Sequence, residues 1–338
     1  MVINNKKVQT LFILISFLLI PLTALICLGI GRYSLSPLQI LRAFADSITG
    51  VTRDVMANTV VFKVRLPRII LALAAGAGLA CSGAAFQGLF SNPLATPDTL
   101  GVASGASFGA VLAMMFHWNL IGIQLLALCF GLLSCFLTYE ISRIKGKSSI
   151  IMIILSGMVI SSLFQAMVSI VKYMADPEDE LPSITYWLMG SMSTVTYKSL
   201  LFGLPFIVLG CGIIYALKWR INILSLNEDE AKSMGLNIKA LRLFIIVASS
   251  LITASVISMC GQVGWVGLLI PHISRMLLGS NNKTVVPLSI SFGAVFMMII
   301  DTFARSASSA EIPISILTAI IGAPVFISLL RKTGGVWA

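Results

Sequence analysis

Residues 10–31 read TLFILISFLLIPLTALICLGIG, an uninterrupted run without a single charge. A helix needs about 20 apolar residues to cross the hydrocarbon of a bilayer, where only structures that close their own backbone hydrogen bonds survive. The run is therefore predicted to be a membrane span. It exceeds the roughly 7–15-residue core of a signal peptide, and no small-x-small cleavage site closes it. Ile26, ahead of Cys27, is too bulky for lipoprotein processing.

Outward from that stretch the same signal recurs near residues 68–90, 99–117, 120–140, 149–173, 197–217, 241–260, 264–279, 285–304 and 312–331. Ten spans are expected, the eighth and ninth short or interrupted by glycine. Composition points the same way: 57% of the 338 residues are hydrophobic and 11% are charged, whereas a soluble domain carries roughly a quarter charged residues. A water-soluble enzyme or a nucleic-acid module is excluded. The fold class is all-α, a polytopic membrane protein of about ten transmembrane helices forming one domain over residues 1–338.

The net charge of +10 is then a topology signal, because Lys and Arg accumulate in cytoplasmic loops. With both termini inside, the inner loops hold Lys6, Lys7, Arg143, Lys145, Lys147, Lys218, Arg220, Lys232, Lys239, Arg242, Arg275, Lys283, Arg331 and Lys332, which is 14 of 23 basic residues. The bias is diluted by Arg32, Arg42, Arg53, Lys63, Arg65 and Arg68 between the first two spans, where residues 32–64 form an external segment. That surplus reads as a basic surface for an acidic partner. Ser36 caps and Pro37 opens a short surface helix carrying Leu38, Leu41, Ala45 and Ile48. A second outer segment, 174–187, holds four acids beside Pro177 and Pro182 and is expected to be a solvated loop.

Gly101, Gly105 and Gly109 share a helix face, and Gly76, Gly78 and Gly83 crowd the preceding span, a pattern for close helix packing in lipid. The Gly83–Pro93 and Gly261–Pro271 separations echo one another faintly. Residues 261–267, GQVGWVG, lack a surrounding βαβ unit and read as a membrane re-entry or a close-packed helix. The six cysteines lie in apolar stretches without a CxxC, as small core residues. His117 beside Trp118 reads as an interfacial residue, and His272 after Pro271 as a structural break. No metal site, cofactor or catalytic constellation is expected.

Asp98, Glu140, Asp301 and Glu311 sit near span ends and no acid occupies a span centre, which disfavours an ion-coupled carrier. An intramembrane enzyme is disfavoured by the lack of paired His, Asp or Ser/Lys groups. GxxxxGK[ST] is absent, so ATP is not bound by a P-loop here and energy is expected from another chain. The inner loop 218–240 offers the entry point. Leu226, Asn227, Glu228, Glu230, Ala231, Lys232 and Gly235 fall in a two-turn helix, with Asn227 as N-cap, Glu230 in the capping-box position and Gly235 as stop.

Asn92-Pro93-Leu94-Ala95-Thr96-Pro97-Asp98-Thr99-Leu100-Gly101-Val102-Ala103-Ser104-Gly105-Ala106 resembles the NPLAxPxxLGxxxGA run of FecCD-type permease subunits of ABC importers. Arg65-Leu66-Pro67-Arg68, residues 264–275 (GWVGLLIPHISR) and Gly322-Ala323-Pro324-Val325-Phe326 agree in order and spacing over essentially the whole chain. Asn227 and Trp265 depart from the Gly and Phe usual there. The resemblance implies a type II ABC importer permease in the bacterial cytoplasmic membrane, a homodimer with two cytoplasmic ABC ATPase subunits and an external substrate-binding protein. It implies ATPase coupling through residues 226–235, binding-protein docking through Arg65, Arg68 and Arg305, and inner gates at Asn92, Leu94, Ser148 and Ser149. The fifth span is expected to line the path. An iron chelate, siderophore or haem, is the expected cargo, with cobalamin or molybdate as alternatives.

Overall fold

Small side chains fill the stretch Leu66–Leu89, and in the computed structural model this stretch is the hub around which the other helices pack. The structure describes residues 3, 5–50, 53–144, 147–148, 150–225, 237–308 and 310–333. Their elements are α1 (Lys6–Gly29), α2 (Pro37–Thr49), α3 (Val55–Leu89), α4 (Val102–Met115), α5 (Leu120–Ile141), α6 (Ile150–Met174), α7 (Glu180–Leu188), α8 (Tyr197–Ile221), α9 (Ile238–Cys260), α10 (Val266–Leu278), α11 (Asn282–Ser306) and α12 (Ile314–Thr333). One two-residue hairpin pairs Arg143–Ile144 with Lys147–Ser148.

Seven of these helices are long and apolar enough to cross a membrane, and α4, α10 and α12 are shorter apolar helices. Together they correspond to the ten expected spans. In α3, 89% of the apolar window is buried, against 17% in α1 and 28% in α6 and α8, so α3 is the core and the others turn a face to lipid. Hydrophobicity does not drive helices together inside lipid; close backbone approach does. A Cβ at Gly76 would run into the Gly293 carbonyl of α11, and one at Gly83 into the Gly267 carbonyl of α10. The π-type turn Thr59–Arg65 precedes Pro67, which has no N–H and whose ring crowds the carbonyl four residues back, so the helix widens there.

Contacts between loops identify two ends of the bundle. At one end, Ile3 N donates to Leu277 O (3.0 Å) and Gln9 Nε2 to Leu278 O (3.3 Å). At the other, Ser191 N donates to Cys260 O (2.9 Å) and Ile314 N to Gly190 O (3.0 Å), so α12 runs back toward the end where α1 begins.

Two helices do not run from end to end. Gly101, ahead of α4, lies against Ser161, the twelfth residue of the 25-residue α6, and α4 runs from there toward the far end. Trp265, the residue before α10, abuts Gly322 midway along α12, and α10 runs the opposite way to Leu278. Both are half-helices starting deep in the bundle. The re-entry reading of residues 261–265 holds.

Three expectations are corrected. Segment 174–187 is not wholly a loop: α7 forms with Ile184 1% exposed, because Pro182 lies in its first turn, where a missing N–H costs nothing. His272 does not mark a break; it is buried within α10 with its ring edge-on to Phe326. In α2 the Ser36–Gln39 capping box and Pro37 are as expected, but Ile40 and Ala43 are buried while Leu38, Leu41 and Ile48 face outward.

Candidate functional site

The outer arginines are engaged within the chain. Arg65, 2% exposed, donates to the carbonyls of Leu28, Gly29 and Tyr33, and thereby closes the C-terminus of α1. Such carbonyls have no partner in their own helix, and a cation complements the negative end of its dipole. Arg305 donates to Cys27 O in the same place and lies 3.7 Å from Asp301. Arg68, 4% exposed, reaches Asp301 and Glu311 at 2.7 Å each. These three residues, read from the sequence as docking groups, form one buried lattice joining α1, α3 and α11. Exposed cations of the same segment are Arg32, which donates to Ser308 O (2.6 Å), Arg42, Arg53 and Lys63, with Arg53 beside Asp46.

The expected gate residues sit in two local structures. Asn92 Oδ1 accepts from Leu94 N (2.9 Å), which folds the segment after α3 into a turn and leaves Leu94 half exposed. Ser148 sits in the short hairpin opposite Arg143, and Ser149 lies outside the described residues. The coupling residues Leu226, Asn227, Glu228, Glu230, Ala231, Lys232 and Gly235 lie outside them too. Their frame is visible. Asn222, just past α8, accepts from Asn282 N (2.8 Å) and Nδ2 (2.9 Å) and donates to Asn281 Oδ1 (2.9 Å). Arg275 donates to Gln87 Oε1 (3.3 Å), Ala84 O (3.1 Å) and Asn282 Oδ1 (3.3 Å). This lattice ties α3, α8, α10 and α11 together beside the loop; the sequence offered only Arg275 as an inner basic residue.

Between the two ends lies a cavity of about 430 Å³ at the starts of α4 and α10. Ser104 of α4, Ser161 and Gln165 of α6, Thr253 of α9, Gln262 and Trp265 of the re-entry, and Asp98 ahead of α4 line it. Gln262 Nε2 donates to Ser107 Oγ (2.8 Å), pinning the re-entry to α4. Trp265 has φ +70°, a conformation that costs about 1–3 kcal/mol in a non-glycine residue and persists only where packing enforces it. The enforcing contacts come from Gly322 and Phe326 of α12. The fifth span, α6, contributes Ser161 and Gln165 to this cavity and carries an exposed apolar row of Ile151, Leu155, Val159 and Leu163.

A model of the FecCD transport family matches residues 18–332. The chain is 46% identical over 93% of its length, and 94% of the relative's, to the molybdate import system permease protein MolB of Haemophilus influenzae. It is 36% identical over 82% of its length, and 84% of the relative's, to a probable iron chelatin transport system permease of Helicobacter pylori. A solved inward-facing ABC transporter of proposed metal-chelate type superposes with a TM-score of 0.86 at 44% identity, covering 95% of this chain and 99% of that one.

Proposed function

The chain belongs to the FecCD transport family and is a multi-pass membrane permease of an ABC importer; from that premise we propose that its cargo is a tetrahedral oxyanion of the molybdate type. The observation that carries this reading is the 46% identity over nearly the full chain with a molybdate permease, against 36% over a shorter stretch with an iron-chelate one. The cavity supports it. Its lining offers hydroxyls, amides and helix starts, groups suited to a small anion with acceptors on every side. An iron chelate, the sequence expectation, is the second reading, favoured by the likeness to the metal-chelate transporter.

In the same reading two copies of the chain pair in the bacterial cytoplasmic membrane through the exposed apolar rows of α6 and α12. Two ATPase subunits engage residues 226–235 from the cytoplasm, and a binding protein delivers cargo to the opposite face. ATP-driven closure of the ATPases moves the two loops together and switches the path between inward and outward opening. Charge reversal at Glu228 or Glu230 is expected to weaken ATPase association while leaving membrane insertion intact; normal co-purification with full transport would remove the coupling role.

The deciding experiment reconstitutes the complex with its ATPase and binding protein in proteoliposomes and measures ATP-dependent uptake of molybdate, ferric siderophore, haem and cobalamin. Molybdate uptake supports the oxyanion reading. Uptake of a ferric chelate with none of molybdate overturns it in favour of the second, and uptake without ATP dependence would return the ion-coupled carrier.

A further inference from the structure

Two helices that begin deep in a bilayer and run in opposite directions bring their positive ends to one place. The first ladder bond of α4 runs from Gly105 N to Gly101 O (2.9 Å), and no side chain caps its start. The start of α10 is likewise without a side-chain cap. At α4 the uncapped N–H groups and the helix dipole together make a site of partial positive charge, while at α10 Val266 N and Leu268 N donate to Gly264 O (2.9 Å) and Trp265 O (3.1 Å), so the dipole is the larger part there. Non-helical backbone at such depth is tolerated only where it is buried or lines a polar cavity, and here it lines one.

An independent observation sits on the cavity wall. Thr253, 2% exposed, has its Oγ1 without a hydrogen-bond partner among the described residues. A buried hydroxyl left unpaired is costly, and the residue that carries it lines the cavity. Asp98 is the one titratable side chain lining the cavity among the described residues, and no Lys, Arg or His of theirs lines the wall.

We propose that the junction of α4 and α10 is a transit site for the oxyanion, held by the starts of both half-helices and the Thr253 hydroxyl, with Asp98 as the opposing charge that keeps residence short. This rests on the oxyanion reading above. A transport site must bind strongly enough to admit cargo and weakly enough to release it. Donors without a formal cation supply the first, and a carboxylate facing the same space supplies the second.

The test uses the purified complete transporter without its binding protein, titrated with molybdate at constant ionic strength while tryptophan fluorescence is read, because Trp265 lines the cavity. A saturable change is expected, absent in Trp265→Phe. Thr253→Val should weaken the apparent affinity about ten-fold, as loss of a hydrogen bond to a charged group does, and Thr253→Ser should restore it. Asp98→Asn should tighten it about three-fold or more by removing the like charge. A structural role alone does not produce opposite signs at two isosteric substitutions. If the wild type imports molybdate in proteoliposomes yet shows no saturable change, or if the Thr253→Val and Asp98→Asn variants titrate like it, the transit site is wrong. If the wild type imports no molybdate, the oxyanion reading fails first and this proposal falls with it.

Discussion

Arg68 shows how far a residue's type can be read without its surroundings. The family resemblance implies a docking role for it, and within the chain its guanidinium holds Asp301 and Glu311. The Arg65-Leu66-Pro67-Arg68 motif sets it apart from Arg42 in the sequence, but its ion-pair partner does not show there, because α11 brings that acid from more than 230 positions away. Breaking a buried pair by removing one partner costs about 3–5 kcal/mol, since the other charge remains desolvated. Arg68→Ala is therefore expected to lower the thermal midpoint and the folded yield of the detergent-solubilised protein, with binding-protein affinity falling only in proportion to the folded fraction. Docking through Arg65, Arg68 or Arg305 requires each guanidinium to trade internal partners for the binding protein's carboxylates; Arg42 and Lys63 need no such exchange. Arg42→Glu with Lys63→Glu should leave stability within about 0.5 kcal/mol, as exposed substitutions do, and weaken docking with a reduced salt slope. Unchanged affinity in that variant, measured over a salt series, would return the role to the buried three.

At the scale of the element, long apolar runs were legible because a span needs only length and hydrophobicity, and the positions of α1, α5, α6, α8, α9 and α11 follow from that alone. The half-helices were legible in part. GQVGWVG left a re-entry and a close-packed helix both open, and the start of α4 at mid-depth depends on where Gly157 of α6 lets residues 99–101 settle, a tertiary fact. Helix α7 was hidden by Pro182, whose cost depends on whether it falls in a first turn or an interior. The outward row of α2 was equally hidden, since Leu38, Leu41 and Ile48 and the buried Ile40 and Ala43 are all apolar and periodicity cannot choose between two stripes. Glycine packing was legible as a class and became specific with partners. Gly83 meets the backbone of α10 rather than a movable side chain, so Gly83→Leu must separate the two helices; overpacking costs about 1–3 kcal/mol where side chains can yield and more where backbone must. Gly212 has open space around it. Gly83→Leu is expected to abolish monodisperse protein in size-exclusion chromatography, while Gly212→Leu elutes as the wild type; equal behaviour of the two would mean that α3–α10 contact does not hold the core.

Across the whole molecule, orientation is the property on which every functional assignment leans, and contacts and charges bear on it separately. The contacts put the start of α1 and the running direction of α12 at one end, together with the Asn222, Arg275 and Asn282 lattice and the entrance to residues 226–236. They do not say which end meets the cytoplasm. We propose from the 14-to-9 split of basic residues that the end where α1 begins meets the cytoplasm, and three of the outer nine have partners inside the bundle: Arg65 is held by carbonyls, and Arg68 and Arg305 pair with carboxylates. Setting aside the residues engaged within the bundle on both sides, Arg65, Arg68 and Arg305 outside and Arg275 inside, leaves six outer against 13 inner, which supports the proposed inward assignment of both termini. Fluorescent-protein and alkaline-phosphatase fusions at the C-terminus, and insertions of the same reporters between Gly50 and Asp54, test it directly. The C-terminal fusion should fluoresce and be inactive as a phosphatase, and the insertion should do the reverse. The opposite pattern would carry residues 226–235 to the outside, where no ATP is hydrolysed, and would end the coupling assignment while leaving the half-helices and their cavity in place.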